Sequence, residues 1–212
     1  MNTNDLINSL AADQTPPGPP PGRMLMIAAI GALVAAAALF FAMVGPRDDI
    51  MTAMRTVRFD FKFVYTLTLA FSALAVAVRL AEPQPLKPGE TLLLWLAPGL
   101  LMAAVIAELI AVPADLWMPR AIGNNSMICM RYIPMLSVVP VALVLWALRS
   151  GAPTNPWRAG AVAGLVGGGI GAAFYAAHCN DDSPLFVLVW YTIGIGVMAL
   201  LGALAGSRFL RW

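Results

Sequence analysis

Six apolar runs of about twenty residues recur along the chain, at 24–44, 62–80, 91–112, 132–148, 159–177 and 184–206, with short polar stretches between them. Each is long enough to cross a hydrocarbon layer about 30 Å thick as a helix. The ten-residue alternation of a closed barrel is missing from the pattern. The expected architecture is therefore an all-α polytopic membrane protein: a six-helix transmembrane bundle over residues 24–212, preceded by a short amino-terminal tail and Pro-rich spacer over residues 1–23.

Within the tail, Asp5, Leu6, Ile7, Leu10 and Asp13 fall in a stretch that suits a short helix. Leu6, Ile7 and Leu10 would share one face, and Thr3 or Asn4 could cap it. Three turns are marginal alone in water, so such a helix needs a partner. The run Pro16-Pro17-Gly18-Pro19-Pro20-Pro21-Gly22 follows and reads as a stiff, extended spacer. The first apolar run is too long for a signal peptide, its upstream flank is acidic, and no small-residue cleavage site follows.

Between the first two runs, Ile50, Met54, Val57 and Phe61 are spaced four, three and four apart. That spacing suits a helix at the interface, or one that simply extends the second span. Glu108 lies near the far end of the third run, where it can reach the interface. The loop expected at 113–131 carries Cys129, and the loop at 178–183 carries His178 and Cys179. The fourth run contains Pro134 and Pro140, which kink membrane helices. In the fifth, Gly160, Gly164 and Gly168 are four apart and form a close-packing face. Internal packing is the expected use of that face, and a homodimer seam is the rarer one.

Composition agrees: of 212 residues, 60% are hydrophobic and 11% charged, against about 25% charged in soluble domains. A net charge of +2 without a basic run gives no footprint for nucleic acid. Six spans place both termini at one end with loops two and four, and loops one, three and five at the other. Cys129 and Cys179 then share a membrane face whichever way the protein inserts. Orientation is nearly tied on cations. The terminal end has Arg23, Arg79, Lys87, Arg149, Arg158, Arg208 and Arg211, and the other end has Arg47, Arg55, Arg58, Lys62, Arg120 and Arg131. Cytoplasmic termini are favoured, which sets the cysteines in an oxidising compartment.

Three uses of the thiols stay open. A structural disulfide would close a loop of about 50 residues, worth roughly 4 kcal/mol on chain entropy, less in a bilayer. A redox switch would join loops three and five and shift the helices beneath. A soft-metal site would combine Cys129, Cys179 and His178, with Asp181 or Asp182 as an oxygen donor. No cofactor is called for beyond such transient metal binding. Hydrolase, zincin, phosphate-loop and dinucleotide motifs are all missing from the sequence. The rival class is a small thiol-dependent membrane transporter or membrane enzyme, and transport is disfavoured by the scarcity of ionisable groups within the spans.

Several motifs resemble the NrsF family of bacterial inner-membrane anti-sigma factors. They are Cys129, the Pro134, Leu136-Ser137 and Pro140 pattern, Leu148-Arg149-Ser150-Gly151-Ala152-Pro153, Ala159-Gly160-Ala161 and Ala163-Gly164-Leu165. His178-Cys179, Asp182-Ser183-Pro184-Leu185-Phe186, Trp190-Tyr191 and the closing Leu210-Arg211-Trp212 continue the match, and Asp5-Leu6-Ile7 with Leu10 and Asp13 fits in the tail. The likeness spans nearly the whole chain and is most specific in the last 85 or so residues. It implies a multi-pass inner-membrane protein that is not an enzyme and binds no nucleic acid directly. It implies sequestration of an extracytoplasmic-function sigma factor by the tail. It implies release when the cysteine pair, here Cys129 and Cys179, meets oxidants or heavy metals. Self-association is left open.

Overall fold

In a computed structural model of the chain, residues 2–12, 19–84, 86–87 and 89–211 are described, with only the backbone for residues 10–12. Asp13, the side chain of Leu10, most of the Pro-rich spacer and Trp212 therefore lie outside the described residues. The helices run α1 (Thr3–Ala12), α2 (Pro21–Met43), α3 (Ile50–Ala53), α4 (Val57–Leu80), α5 (Thr91–Ala111), α6 (Trp117–Ile122), α7 (Ser126–Leu148), α8 (Pro156–Ala176) and α9 (Pro184–Phe209). No strand occurs among the described residues. Six of these helices, α2, α4, α5, α7, α8 and α9, are long and apolar enough to cross a membrane.

Two boundaries differ from the sequence expectation. Helix α7 begins at Ser126, so Cys129 sits in its first turn and not in a loop. A polar start, Asn124-Asn125-Ser126, hid this turn from a hydropathy reading. Ile50, Met54, Val57 and Phe61 do not form one helix. Residues 54–56 separate the short α3 from α4, and Val57 and Phe61 extend the second span.

Helix α8 is the axis of the bundle. It packs against α4, α7 and α9, and most of its residues are buried. Its glycines make this possible, because each neighbour approaches backbone to backbone. A Cβ at Gly160 or Gly164 would collide with the α9 backbone at Gly202 or Met198. One at Gly168 would come within 3.2 Å of Ile195. Gly167 and Gly171 turn instead to Val141 and Ser137 of α7, and Gly169 to Ala70 of α4. The Gly160, Gly164 and Gly168 face is thus occupied within the chain.

The end-to-end arrangement follows from the loops. At the terminal end, Ala152 N–H donates to the Ala81 carbonyl at 3.0 Å, joining loops two and four. At the opposite end, Arg47 N–H donates to the Ala177 carbonyl at 3.1 Å, joining loops one and five. The core divides the same way. Leu25, Ala77, Leu148 and Ala159 belong to one apolar cluster, and Phe40, Tyr65, Cys129, Tyr175, Cys179, Phe186 and Tyr191 to the other. Both cysteines therefore lie toward the end formed by loops one, three and five.

Candidate functional site

Loop 177–183 is the centre of that end, and it is tied down residue by residue. Gly45 ends α2 with a φ of 70°, a left-handed conformation that glycine adopts without strain. Its carbonyl is 3.0 Å from His178 Nδ1. Lys62, one turn into α4, has a fully buried side chain. Its ammonium donates to the Cys179 carbonyl at 2.7 Å and pairs with Asp182 at 2.6 Å. Arg47 reaches the same two groups, Asp182 at 3.0 Å and the Cys179 carbonyl at 3.2 Å, and also pairs with Asp49. The hydrogen bond to Asp49 raises the Arg47 pKa, and Arg47 in turn lowers that of the Asp49 carboxyl.

Asp181 does a different job. Its Oδ2 accepts from the backbone N–H groups of Asn124 and Asn125 at 3.0 and 2.8 Å, and from the Asn125 side chain at 3.0 Å. A carboxylate there satisfies orphan donors at the start of α7 and meets the positive end of its dipole. The turn before it relies on Gly123, whose φ is 59° and where a Cβ would press on the Phe186 ring and the Asp181 carboxyl.

A second ionic knot lies beside the first. Glu108, near the end of α5, is 4% exposed along its side chain. It accepts from Arg58 of α4 at 2.9 Å, Arg120 of α6 at 2.7 Å and Ser183 at 3.3 Å. It does not reach into solvent at the interface, as its place in the sequence suggested. Two cations compensate its burial, the condition under which a buried carboxylate stays tolerable. Arg58, Arg120, Asn180, Asp181, Asp182 and Ser183 line an open polar cleft of about 620 Å³. The first turns of α9 complete the end: a π-helical stretch at Val187–Tyr191 directs Trp190 Nε1 to the Ala121 carbonyl at 3.0 Å.

The predicted site residues divide into those the fold gathers and those it does not. Cys129 and Cys179 are both fully buried in one apolar cluster. Both are free thiols, and the fold does not set the two sulfurs side by side. Cys179 Sγ–H points to the Asp181 carbonyl at 3.6 Å. Burial pushes the Cys179 thiol pKa up, so it rests as a neutral, weakly nucleophilic group. The three-ligand metal set does not assemble: among the described residues no group of three His, Cys, Asp or Glu side chains converges. The reason is local. His178 turns its Nδ1 to Gly45, Asp181 caps α7, and Asp182 is held by Lys62 and Arg47. In the tail, Leu6 and Ile7 are 43% and 57% exposed on α1, and Asp5 sits in its first turn, accepting from Asn2 N–H.

Sequence reasoning missed Arg47, Lys62, Arg58 and Arg120 as site residues. One signal was available for Lys62. It stands between Phe61 and Phe63 in an apolar run, and an intramembrane cation demands an anion. The partner, Asp182, is 120 residues away and is found only by folding.

The chain is 33% identical, over 216 residues and 100% of both chains, to the Anti-sigma-F factor NrsF of Caulobacter vibrioides (strain NA1000 / CB15N). It is 32% identical, over 214 residues and again 100% of both chains, to the Probable anti-sigma-F factor NrsF of Azospira oryzae. No solved structure matches it. Residues 10–212 match the family described as NrsF, negative regulator of sigma F. These are regulators and not enzymes, which removes the enzyme alternative. A multi-pass helical chain, matched along its full length, the protein belongs to the NrsF family of anti-sigma factors.

Proposed function

We propose that this protein holds an extracytoplasmic-function sigma factor at the bacterial inner membrane and frees it when oxidants or heavy metals attack its cysteines. The full-length likeness to a protein named Anti-sigma-F factor NrsF supports the capture of a sigma factor. Residues 1–23 act as tail and spacer, and 24–212 as the membrane domain. The exposed Leu6 and Ile7 of α1 supply an apolar pair for a groove on the sigma factor, the usual way an amphipathic helix is captured. Asp5, Leu10 and Asp13 complete the contact.

The termini face the cytoplasm and loop 177–183 faces the periplasm. The pairing of charges supports this orientation where a bare count does not. Arg47, Arg58, Lys62 and Arg120 are all bound to carboxylates at the loop 177–183 end. Among the described residues, Arg23, Arg149, Arg158, Arg208 and Arg211 at the terminal end have no acidic partner within salt-bridge distance. Unpaired cations at the membrane surface favour the cytoplasmic leaflet and its anionic lipids.

Signal transfer works through the clamp. One short loop is held by α2, α4, α5 and α7 together, so altering a sulfur inside it disturbs all four. Addition of bulk at Cys179 strains a close-packed loop, and the loop moves with Lys62, Arg47 and the start of α7. The α8 glycine faces let helices shift against one another, since few side chains interlock there. A coupling of about 2–3 kcal/mol would weaken sigma binding roughly 30- to 150-fold, within the usual range. Co-purification tests the core of the reading. A detergent extract should retain a soluble sigma factor on the tagged chain, and brief oxidation should strip it. Capture of no sigma factor by the reduced chain would overturn the reading.

A further inference from the structure

Helices α7 and α9 each pack more closely on α8 than on one another. A groove of about 420 Å³ is left between them on the outer surface of the bundle. Val141 and Met198, both buried, form its floor. Ala142 and Ala205 widen it, because a longer side chain at either place would bridge the two helices. The groove runs from Val138 to Arg149 along α7 and from Met198 to Phe209 along α9. Each stretch is eleven helical steps, a rise of about 16 Å, against about 15 Å for the hydrocarbon of one leaflet. Among the described residues that line it, only Arg149 is charged, and it stands at the terminal end. Arg149 is exposed and has no acidic partner within salt-bridge distance. A second groove, of about 430 Å³, lies among α2, α4 and α8 near the opposite end, and none of the described residues lining it is charged.

We propose that the groove between α7 and α9 seats one acyl chain of an anionic phospholipid from the leaflet at the terminal end, with the lipid phosphate on Arg149. The apolar length fits a chain that stops at the bilayer midplane, and the cation stands where the headgroup of that chain lies. A guanidinium gives a phosphate two parallel hydrogen bonds. A net-negative headgroup such as phosphatidylglycerol neutralises Arg149. A phosphocholine headgroup brings its own ammonium and compensates the cation less. Trp146 and Phe209, both exposed, line the same end, and aromatic residues are favoured at headgroup level. A second copy of the chain is a poorer occupant. A two-fold axis along the membrane normal would set both Arg149 side chains at the same end of the seam, and no carboxylate lines the groove to pair with them. The inference depends neither on sulfur chemistry nor on orientation, since it concerns whichever leaflet lies at the terminal end.

The test uses the full-length chain in phosphatidylcholine nanodiscs doped with a lipid that carries a diazirine on its acyl chain. The probe is either phosphatidylglycerol or phosphatidylcholine, and labelled peptides are mapped by mass spectrometry after illumination. The phosphatidylglycerol probe should label residues 138–149 and 198–209 about fivefold more than the phosphatidylcholine probe, equivalent to about 1 kcal/mol. The second groove should be labelled equally by both. Arg149→Gln should bring the two probes level at the α7 and α9 peptides, and Arg149→Lys should keep most of the preference. Ala142→Trp, at an exposed position, should fill the groove and lower labelling by both probes without moving the thermal midpoint. Equal labelling of the parent chain by the two probes, a preference that survives Arg149→Gln, or full labelling of Ala142→Trp would overturn the inference. A native mass of two chains, with the groove peptides crosslinked chain to chain, would also overturn it and assign the groove to a second copy.

Discussion

Lys62 Nζ lies 2.6 Å from Asp182 Oδ1, and the lysine side chain has no exposure to solvent. Second-span helix and fifth loop are thereby joined by one ion pair in a low-dielectric setting. Breaking such a pair from one side leaves a charge buried without compensation, which costs about 3–5 kcal/mol. Asp182→Asn should therefore cost about that much, read as a lowered unfolding midpoint in detergent. Lys62→Met should cost less, since Arg47 still pairs with Asp182. A larger loss for Lys62→Met would mean that the bond to the Cys179 carbonyl outweighs the ion pair.

Glu108 is the second test of the clamp. Glu108→Gln removes the charge that holds Arg58 and Arg120. Charge-assisted hydrogen bonds contribute about 1.5–3 kcal/mol each, less where the cation is partly exposed. The variant should unfold about 2–4 kcal/mol more easily, and limited proteolysis should cut within residues 112–125 well before the parent chain is cut. Unchanged proteolysis would show that Trp190 and Asp181 hold that segment without the glutamate.

The glycine axis gives a contrast within α8 and α9. Gly164→Ala drives a methyl into the Met198 carbonyl, whereas a Cβ at Gly196 meets nothing within 4 Å. Overpacking of this kind costs about 1–3 kcal/mol, and glycine to alanine at an open helical site stabilises by roughly 0.5–1 kcal/mol. Thermal unfolding of the two variants should move in opposite directions. A tolerated Gly164→Ala would mean that α8 and α9 can separate without loss.

Tail function is tested by removing residues 2–12. The shortened chain should stay in the membrane fraction while a sigma-dependent reporter rises to its induced level. Leu6→Asp with Ile7→Asp should reproduce the effect. Continued repression by both would place sigma binding in the loops at the terminal end.

Orientation is best read at exposed positions, because both native thiols are buried. In a chain with Cys129→Ala and Cys179→Ala, Met51→Cys, at a position 75% exposed, should react with an impermeant maleimide added to spheroplasts. Ser150→Cys, exposed at the other end, should react only after lysis. The reverse pattern would set the clamp in the cytoplasm and end the proposal of periplasmic sensing.

The six spans, the all-helical class and the sharing of one end by the two cysteines were legible from sequence alone. Hydropathy over a span is a local property, since each stretch must satisfy its own backbone and length in a bilayer. Parity then orders the loops without any knowledge of packing. The start of α7 was misjudged because Asn125 and Ser126 are polar yet begin a helix capped by Asp181, a residue 56 positions away. The metal set and the ionic clamp depended on direction as well as proximity. His178, Asp181 and Asp182 are neighbours in the chain, but each turns to a different element: the Gly45 carbonyl, the start of α7, and Lys62 with Arg47. Side-chain direction in a loop is set by what packs around it, and those partners come from helices far apart in sequence. Which residues exist at that end was written in the chain; which of them hold one another, only the folded bundle decided.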